Sequence, residues 1–266
     1  MLGKLMKYEW KATWKLLLPM DLFIVVMSIL TYITVQLSFF DSDNYLVNMT
    51  GVIVLITYII SMFVISIGTM IYLIYRFYTS VYSDEGYLLH TLPVDKHHVI
   101  ISKAVVSAAW IIINAVLIYL SIFFLLSTQK AFVEAITDSF DYYMKMANDY
   151  NKVSGLSVLM TLIASFFALL ARILKITACV SLGQLSSNHK ILSAFGFYYG
   201  IYFVQRIFTL IYYMALELAA KASDYQYGFS TVFGTSWEFT LISSLIYCVI
   251  FYFLTWYMMD KKLNLD

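Results

Sequence analysis

Charge is what this chain is shortest of. Asp, Glu, Lys and Arg make up 12% of its 266 residues, against about 25% in a soluble domain, which needs that charge to hold a hydrated surface. With 62% apolar residues, membrane is the solvent that the composition fits. Cationic excess is missing too. The formal net charge is +1 and no run of Lys or Arg offers a track for phosphates, which excludes nucleic acid as a partner. Cysteine occurs twice, as Cys179 and Cys248, each inside an apolar run. That excludes a disulfide framework and a paired-thiol metal site, and both read as small packing residues. Proline also occurs twice, as Pro19 and Pro93, and the two mark where helix should bend or stop.

Chemical motifs are lacking as well. No G-x-x-x-x-G-K-[ST] sequence occurs, so this chain is not expected to hydrolyse ATP by itself. H-E-x-x-H and G-x-S-x-G are missing too, and with them two common hydrolase sites. His90, His97 and His98 share one loop with Asp84 and Glu85. Neighbouring side chains of an extended segment point apart, however, so no metal is expected there. Neither a catalytic residue nor a cofactor of the chain's own is expected.

What is there is a row of apolar segments. A span takes about 20 apolar residues, and six candidates occupy 16–38, 51–75, 104–126, 156–185, 191–218 and 239–259. With no repeat and no low-complexity linker, residues 1–266 read as one transmembrane domain of an all-α membrane protein. The first segment is longer than the apolar core of a signal peptide and no small-residue cleavage site follows it, so cleavage is not expected. Lys and Arg set the orientation. One side receives Lys4, Lys7, Lys11, Lys15, Arg76, Lys96, Lys103, Lys190, Lys261 and Lys262; the other receives Lys130, Lys145, Lys152 and Lys221. Ten against four puts both termini in the cytoplasm.

Lys4, Lys7, Lys11 and Lys15 fall within an arc of about 80° on a helical wheel, with Trp10 and Trp14 flanking them. That pattern suits an amphipathic helix over 1–15 lying on an anionic membrane surface, with a bend into the first span at Pro19. An ordinary positive-inside anchor would carry the same lysines. On the opposite side, charges at 130–152 recur every three or four residues, which fits either a helical lid over the outer mouth or a solvated linker.

Between the second and third spans lies a polar island, "VYSDEGYLLHTLPVDKHHVIISK", residues 81–103. A short helical piece over Tyr82–Leu89, capped by Ser83 or Asp84, fits its first half. Pro93 disfavours helix at Leu92. A polar, helical protrusion on the cytoplasmic side suits docking to another protein, and a solvated connector would have the same composition. Within the spans, Arg206 stands near the middle of the fifth. An arginine there costs roughly 2.5–3.5 kcal/mol on insertion scales, so a buried or cavity-facing place is expected. Arg172 and Lys175, late in the fourth, are expected to snorkel to the inner interface.

The run Asp84-Glu85-Gly86-Tyr87-Leu88, then Thr91-Leu92-Pro93-Val94 and Ser102-Lys103, resembles small ABC-2 type ABC-transporter permeases of Gram-positive bacteria. The opening "LGKLMKYEWKATWK" and the stretch "SLGQLSSNHKILSAFG" at 181–196 are similar to them as well. The chain departs from the pattern at Ser186-Ser187-Asn188, where such permeases often carry a further basic residue. The resemblance implies the architecture of ABC-2, or type V, exporters: an N-terminal interfacial helix, six transmembrane helices and a cytoplasmic coupling helix between helices 2 and 3. It also implies two copies of a separate ATPase subunit, which would bind ATP and Mg, and a second permease chain, identical or a sister. Carried over, Tyr82, Ser83, Asp84, Glu85, Gly86, Tyr87, Leu88, Leu89, Thr91, Leu92 and Pro93 become the ATPase-docking patch, and Arg206 belongs to the path or the dimer core. The location implied is the bacterial cytoplasmic membrane. The cargo implied is an amphipathic peptide, as in phenol-soluble-modulin and bacteriocin exporters, and the 23 Tyr and 20 Phe would suit such a path. Lipid or drug export is the alternative within transport, and a membrane immunity or sensor protein the alternative outside it.

Overall fold

In lipid every backbone amide must find its partner inside the chain, and apolar runs of this length do so as helices. A computed structural model of the chain describes residues 2–37, 39, 44–83, 85–86, 95–127, 129, 133–134, 136–139, 155–186, 189–222 and 229–261. Six long helices run through them: α1 Leu2–Gln36, α2 Tyr45–Tyr82, α3 Lys96–Leu126, α4 Gly155–Gly183, α5 Lys190–Ala222 and α6 Phe229–Lys261. No strand occurs among the described residues. Each of the six is long and apolar enough to cross a membrane, which marks a multi-pass membrane protein.

Five of the six helices are longer than the apolar segments that announce them, α4 being the exception. Asn44 caps α2, accepting the Leu46 amide on its side-chain Oδ1 at 3.1 Å, so the helix begins well ahead of residue 51. Asp95 precedes α3, accepting the His98 amide on its carbonyl at 2.9 Å. Its carboxylate lies 3.5 Å from His98 Nδ1. The expected division of the N-terminus is not found. Residues 2–15 and the first span form one helix of 35 residues with Pro19 inside it. Proline removes one helical donor, but apolar solvent and side-chain packing on both sides let the helix continue.

Two compact units share the chain. The first comprises Met1–Arg76 and Val105–Tyr143. Leu17, Leu73, Val106 and Trp110 form its buried cluster, with Met6, Trp10, Leu18 and Tyr72 packed around it. Trp10 stacks on Trp110 with ring centres 4.8 Å apart, and Trp14 meets the same ring edge-on at 6.3 Å. The Trp110 indole N–H donates to Thr13 Oγ1 at 2.8 Å. Trp10 and Trp14, expected to flank the lysines at the membrane interface, are also contacts of a third tryptophan. Lys4, Lys7, Lys11 and Lys15 are all exposed, in keeping with their common arc. Farther along α1, Asp21 is buried and accepts the Asn114 side-chain amide at 2.9 Å.

The second unit comprises Phe77–Ala104 and Met144–Asp266. Here α4 packs along α6 and, over a shorter stretch, against α5. Ala164, Ala171 and Ala178 are buried at seven-residue spacing on α4, and such small side chains let helices in apolar solvent approach closely. Across the seam, Cys248 Sγ donates to the Phe167 carbonyl at 3.6 Å, and Thr177 and Thr255 oxygens lie 3.5 Å apart. Both contacts advance together along the chain, so α4 and α6 run parallel. The turn into α5 is tight. A Cβ on Gly183 would stand 2.8 Å from that of Ala194, and Ser193 Oγ donates to the Gly183 carbonyl at 2.9 Å.

Candidate functional site

The polar island leaves and rejoins the helices at two rooted points within the second unit. At its start α2 ends on Tyr82, which is buried at 6% exposure. The Tyr82 hydroxyl donates to Ser181 Oγ on α4 at 2.7 Å, and Ser181 Oγ in turn donates to the Thr177 carbonyl at 2.8 Å. Two residues before, Ser80 accepts a hydrogen bond from Lys103 Nζ at 2.5 Å. Lys103 is itself buried, so an ammonium inside the fold ties the last turn of α2 to α3. A donor that deep needs such a partner, because desolvated charge is costly unless it is hydrogen-bonded.

At the far end of the island, α3 grips the last helix. Lys96 Nζ stands 2.9 Å from Asp260 Oδ1 on α6. His97 Nδ1 lies 2.5 Å from the Tyr252 hydroxyl, and its ring stacks on Trp256 at 5.4 Å. His97 and His98 thus go to different partners, Tyr252 and Asp95. Among the described residues, no group of three His, Cys, Asp or Glu is placed to hold a metal ion.

The residues expected to form a docking patch are described in part. Ser83 is half-buried, Glu85 exposed and Gly86 buried. The Gly86 amide donates to the Ser83 carbonyl at 2.7 Å. A Cβ on Gly86 would collide with the Val81 carbonyl, so the chain folds back on the end of α2 where only glycine fits. Asp84, Tyr87, Leu88, Leu89, Thr91, Leu92 and Pro93 lie outside the described residues, as does most of 130–152. Of the described members, Tyr82 and Gly86 are buried, Ser83 is half-buried and Glu85 is exposed.

A second polar site sits between α4 and α5. Lys175, expected to snorkel, is buried at 8% exposure. Its Nζ donates to Gln205 Oε1 at 3.1 Å and stands 4.7 Å from the centre of the Tyr198 ring and 5.6 Å from that of Tyr202. These partners replace the headgroups that a snorkelling lysine would seek. Arg206 lies over the other contact of this group, its guanidinium 4.9 Å from the Tyr202 ring centre. It is exposed on the chain's surface, not buried within it. Arg172 is also exposed. Reading along the sequence could locate Lys175 and Arg206 but not the two tyrosines and the glutamine that gather them. Asp21 and Asn114, a buried polar pair inside apolar segments, were missed altogether. An acid within a span is itself the signal that points to such a pair.

No protein-family model matches the chain, and no curated protein or solved structure does so. The likeness to ABC-2 permeases rests on the motifs alone.

Proposed function

We propose that this chain is the transmembrane permease subunit of an ATP-driven exporter in the bacterial cytoplasmic membrane, carrying amphipathic peptides outward. Both termini then lie in the cytoplasm. A separate ATPase supplies the hydrolysis, and its dock is the helical protrusion beginning at Tyr82. The observation that carries this reading is the rooting of the island. Tyr82 is bonded to Ser181 on α4 and Lys96 is paired with Asp260 on α6. A force applied to the protrusion therefore reaches two spans through hydrogen-bonded contacts. A mere connector has no need of buried polar anchors at its base, whereas a docking element that transmits work does.

The test is to purify the chain together with the ATP-binding protein encoded beside its gene and measure ATP hydrolysis with and without amphipathic peptide. A stable complex with peptide-stimulated hydrolysis is expected. A complex stimulated by lipid or drug but not by peptide would reassign the cargo. A chain that protects cells without any ATPase would be an immunity or sensor protein.

A further inference from the structure

We propose that Lys175 and Arg206, with Gln205 and the rings of Tyr198 and Tyr202, form a site within the membrane for an oxyanion, a carboxylate or phosphate, carried on an apolar body. Two cations share the Tyr202 ring, Lys175 Nζ 5.6 Å and the Arg206 guanidinium 4.9 Å from its centre. Among the described residues neither is in an ion pair. The sequence explains why: α4 contains no Asp or Glu at all. On α5 the acid is Glu217, eleven residues past Arg206 and thus about 16 Å farther along the axis. On α6, Glu238 precedes Cys248 by ten residues, and Cys248 is level with Phe167, itself eight residues before Lys175. At the other end Asp260 is held by Lys96.

Charged groups inside spans pair with opposite charge or face water. The tyrosine faces attract cations but add no negative charge, so the cluster keeps its net positive charge until an anion arrives. Arginine's planar fork matches carboxylate and phosphate oxygens. Gln205 accepts from Lys175 on its carbonyl oxygen, which leaves the amide N–H groups as further donors. Arg206 and Tyr202 are exposed on a helix otherwise covered with apolar side chains. A ligand approaching there has its body in apolar surroundings and its charged group at the cluster, which describes an acidic amphiphile. As a cargo site this rests on the transport reading; as a binding site it does not.

Equilibrium binding of radiolabelled decanoate and decyl phosphate to the full-length chain in neutral detergent tests it without any ATPase, so its failure is distinct from a failure to find the partner. Saturable binding of both, above the protein-free micelle background, is expected. Affinity should fall at least tenfold in Arg206→Gln and in Lys175→Met and stay unchanged in Lys11→Gln. Arg206 is exposed, so its variant remains informative should the buried Lys175 substitution misfold. Equal binding of decyltrimethylammonium, or undiminished binding in Arg206→Gln, would overturn the site. Displacement of decanoate by an equal concentration of inorganic phosphate would overturn the need for an apolar body.

Discussion

The Tyr82 hydroxyl reaches Ser181, 99 residues away in the chain, and donates to it across 2.7 Å. The bond links the base of the polar island to a span that contacts both α5 and α6. Both partners are buried, Ser181 completely. The bond therefore works away from water, where its loss is felt.

Tyr82→Phe keeps the ring and removes only the donor. Ser181 Oγ still donates to the Thr177 carbonyl, so no buried donor is orphaned. The expected loss is about 0.6 kcal/mol, the average for side-chain hydrogen bonds between membrane helices. A thermal unfolding midpoint in detergent should thus move little. Export driven by the ATPase should fall more than ATPase binding does, because the dock remains while its link to α4 weakens. Equal export at equal complex formation would show that the bond only stabilises.

Lys96 and Asp260 offer a second link, this one half-exposed. Reversing one charge, as Lys96→Glu or Asp260→Lys, puts like charges face to face and should lower peptide-stimulated hydrolysis. Reversing both restores the attraction and should restore hydrolysis to near its original rate. A double variant no better than the worse single one would mean that the two side chains act separately.

Spans were the legible part of this fold, because a run of apolar residues is a direct statement about solvent. The helix ends were less so. Asn44 and Asp95 are ordinary capping residues readable in the sequence, yet apolarity stops short of both and concealed how far α2 and α3 extend. Pro19 was no guide to a helix end, because α1 continues through it. The island's polarity was evident, but its anchors were not. Tyr82 belongs by sequence to the polar stretch and by structure to the buried end of α2. Its partner Ser181 lies in another helix, and one sequence holds no record of which faces meet. The same limit separated Lys175 from Tyr198, Tyr202 and Gln205. Their helical spacing shows that the last three share a face, but not that a lysine of α4 points into it.

Orientation is open to direct measurement. The asymmetry of Lys and Arg places both termini inside. Single cysteines at Asp43, Asp141 and Asp224 should react with impermeant maleimide added to intact cells, and those at Asp95 and Lys262 only after the cells are opened. Cys179 is buried and Cys248 half-buried, so background labelling should be low. Labelling at Asp95 from outside would refute the six-span arrangement.

The last expectation concerns the dock itself, and it separates shape from contact. Gly86 sits where a Cβ meets the Val81 carbonyl. Gly86→Ala must therefore push the chain off the end of α2 and shift everything after it while removing no contact group. Interface energy concentrates in a few aromatic or well-buried anchors, which makes Tyr87 and Leu88 the expected holders of the ATPase. Tyr87→Ala with Leu88→Ala should then weaken co-purification of the ATPase at least tenfold without altering the chain's own thermal midpoint. Glu85, exposed, should orient the partner, so Glu85→Lys should leave the complex intact and lower its stimulated hydrolysis. Gly86→Ala should reduce both binding and stimulation, since the anchors are present but misplaced. If the double alanine variant and Gly86→Ala both bind the ATPase and export peptide as the unaltered chain does, the island is a connector. The polar anchors at its base would then serve only to hold α2, α3, α4 and α6 together.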